Sequence, residues 1–214
     1  SLPFDINLLE YDIKVSKAHA NMLCKIDVLT DKENNEIQEG LNSILSNFLD
    51  GKWKPDADIF EDIHSAIEEE LTNEIGDIGK KLHTARSRND QVITDVRLWI
   101  KDSSSIIITS LINFQQTLIS ISEKNLKTLM PGYTHLQRAQ PISLAFHLMA
   151  YVEMLERDKK RFNFSHNEAD ECILGSGALA GSTIELDREM TSAELGFSSI
   201  SNNALDSVSN RDFI

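Results

Sequence analysis

Four prolines, nine glycines, two cysteines and 7% aromatic residues are few for a chain of 214, and each scarcity excludes something. Cys24 and Cys172 stand far apart and match no metal-ligating or redox spacing, so the default expectation is a reduced, intracellular protein. Basic side chains are short as well, 21 against 34 acidic ones, for a net charge of −13. That balance excludes a generic binder of nucleic acid or anionic membranes, which needs surplus Lys and Arg. No apolar run approaches the ~20 residues of a membrane span, and residues 1–20 carry no signal-peptide pattern. With 41% hydrophobic residues in a patterned arrangement, the expectation is an acidic, globular, cytoplasmic protein. Its length suits one large domain or two small ones, at about 100–200 residues each.

The placement of the helix breakers is informative. Residues 80–130 and 142–174 contain neither Gly nor Pro. An interior Gly costs ~1 kcal/mol and a Pro ~3 relative to Ala, so such stretches can hold long helices. In the first, Val92, Val96, Trp99, Ser103, Ile106, Ser110, Phe114, Leu118 and Ile121 recur at spacings of three and four,. A second stripe of Ile93, Ile100, Ile107 and Leu111 predicts a helix covered on more than one side,. At 1.5 Å per residue it would be about 50 Å long. The second stretch repeats the pattern from Ile142 to Leu155, with Pro141 fitting a first helical turn. Shorter helices are expected over 9–29, over 32–49 with Asp31 as cap, and from Asp62 to Ile75. Strand signals are weak, and segments 76–88, 128–140 and 175–187 read as loops. The aromatics Phe60, Trp99, Phe114 and Phe146 are assigned to the core. The fold class is all-α: an N-terminal helical domain over 1–83, then part of a long-helix bundle over 84–214.

Two of the loops are chemically overloaded. Residues 79–88 hold Lys80, Lys81, Arg86 and Arg88 with no acid, directly before the longest helix. Arginine forks bind carboxylates bidentately, and a helix N-terminus adds free N–H donors. With Ser87 and Asn89, the segment suits an anion bearing more than one carboxylate; the plainer alternative is a helix cap with solvated cations. Residues 130–141 place Thr134, His135, Gln137, Arg138 and Gln140 between two prolines. A histidine on a polar loop can act as general acid or base near neutral pH, and a lone one is often neither. His64, in Glu61-Asp-Ile-His, fits a carboxylate-oriented imidazole or an exposed first-turn residue. His83 reads as site or surface, and His19, His147 and His166 as packed or solvated. No HExxH, paired CxxC, Walker loop or GxGxxG is present, so no metal or cofactor site is expected.

Lys81-Leu-His-Thr-Ala-Arg-Ser-Arg-Asn-Asp-Gln91 resembles the first signature of the argininosuccinate lyases, within the aspartase/fumarase superfamily, and Ser-Arg-Asn sets them apart from sister lyases. Gly132-Tyr-Thr-His-Leu-Gln-Arg-Ala-Gln-Pro141 resembles their second. Tyr11 to His19, Gly175 to Gly181 and Asn203 to Phe213 agree as well. The family's third signature, a Gly-Ser-Ser-x-Met-Pro-x-Lys-x-Asn loop carrying a catalytic serine, would follow residue 214. Val15 stands where many relatives have Gly. The resemblance implies reversible cleavage of argininosuccinate to arginine and fumarate without a cofactor. His135 would be a proton-transfer residue, and Thr134 and Asn89 would bond substrate carboxylate or amino groups. Ser16 would contact the arginine end, Ser87 and Arg88 the succinyl part, with His64, Gln91 and Gln137 in support. It further implies a homotetramer whose sites are shared between subunits. The alternatives are a crystallin-like structural protein, an oligomerising fragment of the family, or another fumarate-releasing lyase such as adenylosuccinate lyase.

Overall fold

A computed structural model describes residues 1–214 and is helical throughout most of its length. A short α1 (Leu2–Asp5) leads through a 3-10 turn into α2 (Leu9–Lys25), α3 (Asp31–Leu49) and α4 (Ile63–Ile75). Thr30 caps α3, not Asp31: its side chain accepts from Glu33 N–H while Glu33 reaches back to Thr30, the reciprocal pattern of a capping box. Asp62 caps α4, accepting from the Ser65 N–H at 2.7 Å. A one-turn α5 (Asp77–Lys80) precedes the long α6 (Arg88–Lys124). Then come strands β1 (Leu129–Thr134) and β2 (Gln137–Ser143), α7 (Leu144–Ala169), β3 (Glu171–Cys172), α8 (Arg188–Leu195), β4 (Ser199–Ile200) and α9 (Ala204–Ser209).

Compactness divides the chain inside α6, into Ser1–Trp99 with Ala169–Asp212, and Ile100–Glu168 with Phe213–Ile214. The boundary expected at residue 83 falls within the first unit. That unit has a core of Leu9, Ile13, Leu23, Ile37, Leu41, Ile44, Ile67 and Leu71, contributed by α2, α3 and α4. A second cluster joins Val15 and Ala18 of α2 to Leu98, Cys172, Leu174, Leu195 and Phe197. The returning segment 169–212 is thereby packed on α2, and β3 pairs parallel with β4.

From α6 to α7 the structure departs from expectation in three ways. First, segment 128–140 is not a loop: β1 and β2 form an antiparallel hairpin, registered from Leu129↔Ser143 to Thr134↔Gln137. Pro141 sits in β2 opposite Pro131, so it does not start a helix. Second, Trp99 of the first unit and Phe114 and Phe146 of the second are not core residues, being 39%, 52% and 68% exposed; only Phe60 packs on a core. Ile106, Ile121 and Met154 are likewise exposed along the two helices. Third, α6 is long and apolar enough to cross a membrane by length and composition, with a window of mean hydropathy 1.2. The expectation of no such segment missed it because residues 103–122 replace charges with Ser, Thr, Asn and Gln.

Candidate active site

The basic turn is held by side chains of α2 and α4 within the first unit. His19, buried on α2, bonds the Thr84 carbonyl through Nε2 at 2.9 Å. Burial and the neighbouring Arg86 charge drive its pKa down to about 3, so the ring is neutral and Nε2 carries the donated proton,. Ala85 then takes φ +59, a left-handed turn that sends Arg86 inward,. Arg86 Nη1 donates to Ser16 Oγ at 2.9 Å, and both residues are buried. Glu68 of α4 accepts from His83 Nδ1 at 3.0 Å and Arg88 Nη2 at 3.0 Å, with Arg86 Nη2 at 3.5 Å.

The opening of α6 is capped by its own carboxylate. Asp90 Oδ1 accepts from the Ser87 N–H at 2.9 Å, while Oδ2 accepts from Gly175 and Gly177 at 3.0 and 2.8 Å. Burial pushes the Asp90 carboxyl up, against the pull of these three N–H donors and of Arg86. Asn89 stays exposed and donates through Nδ2 to the Ala178 carbonyl at 3.1 Å. Basic turn and Gly-rich loop thus form one surface through Asp90 and Asn89.

Beneath it, Arg88 Nη1 donates to Gln91 Oε1 at 2.9 Å, and Gln91 Nε2 donates to Asp12 Oδ1 at 2.5 Å. His64 is buried, not exposed in a first turn: its Nδ1 lies 3.4 Å from both Asp12 Oδ1 and Asp95 Oδ2. Burial raises the Asp12 carboxyl, but His64, Arg86 and Gln91 outweigh it and leave it below the usual range. Burial and the facing Asp12 charge push Asp95 well above that range. Asp12, His64 and Asp95 offer ligand atoms within 4.8 Å of one another. Asp12 Oδ1 is engaged by Gln91 and Arg86 acts as a cation on both carboxyls, while Asp12 Oδ2, His64 Nδ1 and both Asp95 oxygens are buried without a hydrogen-bond partner.

Six candidate residues are therefore gathered in the first unit: Ser16, His64, Ser87, Arg88, Asn89 and Gln91. Ser87, Arg88 and Asn89 reach its surface, whereas Ser16, His64 and Gln91 are buried against Arg86, Asp12 and Arg88. Thr134, His135 and Gln137 belong to the second unit, all exposed at the hairpin tip. His135 and Leu136 have φ +49 and +60, the two-residue loop geometry normally given to Asn-Gly. Holding two non-glycine residues there costs of order 1–3 kcal/mol each, and such strain concentrates at functional sites. Asp12, Glu68, Asp90 and Asp95 are not among the candidates read from the sequence. Their one signal is that the basic segment 79–88 contains no acid, so its countercharge must arrive from elsewhere.

Comparison with known proteins gives these clusters a context. A family model described as Lyase matches residues 1–214, and the chain belongs to that all-α lyase family. It is 50% identical over 213 residues to an argininosuccinate lyase of Trichormus variabilis, covering 100% of this chain and 46% of that protein. The chain thus spans about half the length of the curated relatives it matches. EDDS lyase in complex with formate superposes with a TM-score of 0.86 at 29% identity, over 98% of this chain and 41% of that one. A variant of EDDS lyase with bound fumarate gives 0.85 at 29% identity, with the same coverage.

Proposed function

We propose that this chain is part of an argininosuccinate lyase, which splits argininosuccinate into arginine and fumarate by reversible β-elimination. The observation that carries the reading is the Ser87-Arg88-Asn89 turn, presented at the start of α6 by Asp90, Glu68 and Gln91. Half of all positions are shared with a protein bearing that name, and fumarate is the ligand bound in the EDDS lyase variant.

In the reaction, a base removes the hydrogen on the carbon beside a carboxylate, and negative charge spreads into that carboxylate as an aci-form. The C–N bond then breaks, its electron pair leaves with the guanidine nitrogen, and an acid returns a proton there. Donors aimed at the developing charge contribute about 10²–10³ each in rate. Ser87, Arg88 and Asn89 supply such donors for the succinyl carboxylates. Thr134 and Gln137 bind substrate beside His135, which transfers one of the two protons, an effect of about 10²–10⁴. The family serine is its partner. Ser16 supports the arginine end through Arg86, and His64 and Gln91 hold Asp12 and Arg88. No cofactor is needed for this chemistry.

The working protein is a cytoplasmic homotetramer whose sites combine residues of several subunits. Exposed Ile106, Phe114, Ile121, Phe146 and Met154 support an assembly that covers both helices,. A soluble bundle suits α6 better than a lipid face, because Ser and Thr recur among its apolar residues and α7 is strongly charged,. The alternative crystallin-like role is separated by assay. Full-length protein, serine loop included, releases fumarate from argininosuccinate, seen as rising ultraviolet absorbance, if the reading is right, whereas residues 1–214 alone are expected to release little. Adenylosuccinate cleavage in its place identifies a sister lyase, and no fumarate from either substrate overturns the reading.

A further inference from the structure

We infer that Glu68 is the positioning residue of the basic turn: its carboxylate fixes the direction of Arg88, and that of His83 and Arg86 with it, before substrate arrives. Its consequence for catalysis rests on the lyase reading above; its structural basis does not. Segment 79–88 carries no acid, so each of its cations takes a partner from outside it. Lys80 pairs with Asp77 and Lys81 with Glu33, both on the protein surface. The remaining three groups converge on one side chain. Glu68 Oε1 accepts a hydrogen bond from His83 Nδ1 at 3.0 Å and faces Arg86 Nη2 at 3.5 Å, while Oε2 accepts from Arg88 Nη2 at 3.0 Å.

Geometry makes this more than a countercharge. Arg88 Nη1 is bonded to Gln91 Oε1 at 2.9 Å, so its guanidinium is gripped at two nitrogens by two different helices. A guanidinium held this way keeps one orientation, and its remaining donors are aimed in advance. Arg86 is bonded to Ser16 on α2 through Nη1, and its Nη2 lies in ion-pair range of Glu68 on α4 without a hydrogen bond of its own. Glu68 itself is held by the fold, about 29% exposed at its side chain, whereas its neighbour Glu69 faces solvent. Burial raises the Glu68 carboxyl, but the His83 bond and the Arg88 and Arg86 charges more than offset it, keeping the group ionised at neutral pH,.

The test pairs a readout of the turn with one of catalysis, on Glu68→Gln and Glu68→Asp. Nitrogen-15 spectra follow hydrogen exchange at the Nε–H of Arg86 and Arg88 in the chain. Argininosuccinate turnover follows KM and kcat. Glu68→Gln, which keeps the shape and loses the charge, is expected to speed exchange at Arg88 by at least about 10-fold. It is expected to raise KM by about 10-fold or more while kcat changes less than about 3-fold. Glu68→Asp, which keeps the charge on a shorter arm, recovers part of the KM. Unchanged arginine exchange in Glu68→Gln overturns the inference. So does a fall in kcat at unchanged KM together with a loss of thermal stability, the mark of a merely structural tie. If the unmodified full-length protein, serine loop included, turns over no argininosuccinate, the lyase reading fails by itself, and arginine exchange alone decides whether Glu68 sets the turn.

Discussion

Asp90 Oδ2 accepts the backbone N–H of Gly177 at 2.8 Å, joining the first turn of α6 to a loop 87 residues further along the chain. The same carboxylate holds Gly175 and Ser87. Gly177 has φ +61, and a Cβ there would lie 2.6 Å from the Gly181 carbonyl, so the loop can approach Asp90 only with glycine at this position,. Truncating Asp90 strands three N–H groups, two of them donated by the Gly-rich loop. Asp90→Ala is expected to cost about 2–4 kcal/mol in urea unfolding, because each orphaned buried donor loses its full partner energy. A loss below about 1 kcal/mol would mean that the loop is held by other contacts.

His19 gives the first unit a dependence on acid with a definite sign. Its folded-state pKa is about 3, against an ordinary value of 6.5. Between those values the unfolded chain binds a proton that the folded chain refuses, so stability falls as pH drops from about 6.5 toward about 3. The loss is on the order of a few kcal/mol across that window. His19→Gln keeps a donor for the Thr84 carbonyl without a titrating ring. Its unfolding free energy, measured from pH 7 to pH 4, is expected to decline less steeply than that of the parent. Parallel curves would remove His19 as the source.

The facing carboxyls of Asp12 and Asp95 differ in what they tolerate. Asp12 is held ionised by His64, Arg86 and Gln91, whereas burial and the Asp12 charge keep Asp95 well above its usual range. A neutral amide therefore imitates Asp95 better than Asp12. Asp95→Asn is expected to be less destabilising than Asp12→Asn at neutral pH, because the amide replaces a group already favoured in its neutral form,. Equal losses, or the reverse order in chemical denaturation, would contradict this division of charge.

Features governed by local chemistry were legible in the sequence, and those governed by distant pairing were not. A stretch from 80 to 130 without Gly or Pro announces α6, and the helical segment expected from Asp62 to Ile75 is α4. Hairpin 129–143 stayed hidden because Pro131, Gly132 and Pro141 imitate a loop. Most of its side chains are also exposed, which removes the apolar alternation that marks a half-buried strand,. Arg88 and Asn89 stood out as a motif, but the groups that aim them did not. Asp12, Glu68 and Asp90 are scattered carboxylates in an acidic chain, and only the packing of α2 and α4 against the turn selects them. Exposed Phe114 and Phe146 read as core because periodicity reports that a face is covered, not what covers it,.

The hairpin tip isolates the chemistry of His135 from its structural part. His135 and Leu136 occupy consecutive left-handed positions, where Asn is among the best-tolerated residues after Gly,. His135→Asn therefore keeps the turn, and no buried contact is lost because the residue is exposed. Thermal unfolding is expected to shift by less than about 1 kcal/mol equivalent, within the range of surface substitutions. If the imidazole transfers a proton in the elimination, argininosuccinate turnover falls at least about 10²-fold, with KM far less affected. Leu136→Gly serves as the companion change: it relieves the second strained position while leaving the imidazole in place. Loss of turnover in His135→Asn with retention in Leu136→Gly assigns the effect to the ring. A near-normal rate in His135→Asn removes His135 from the mechanism, however well the tip is formed.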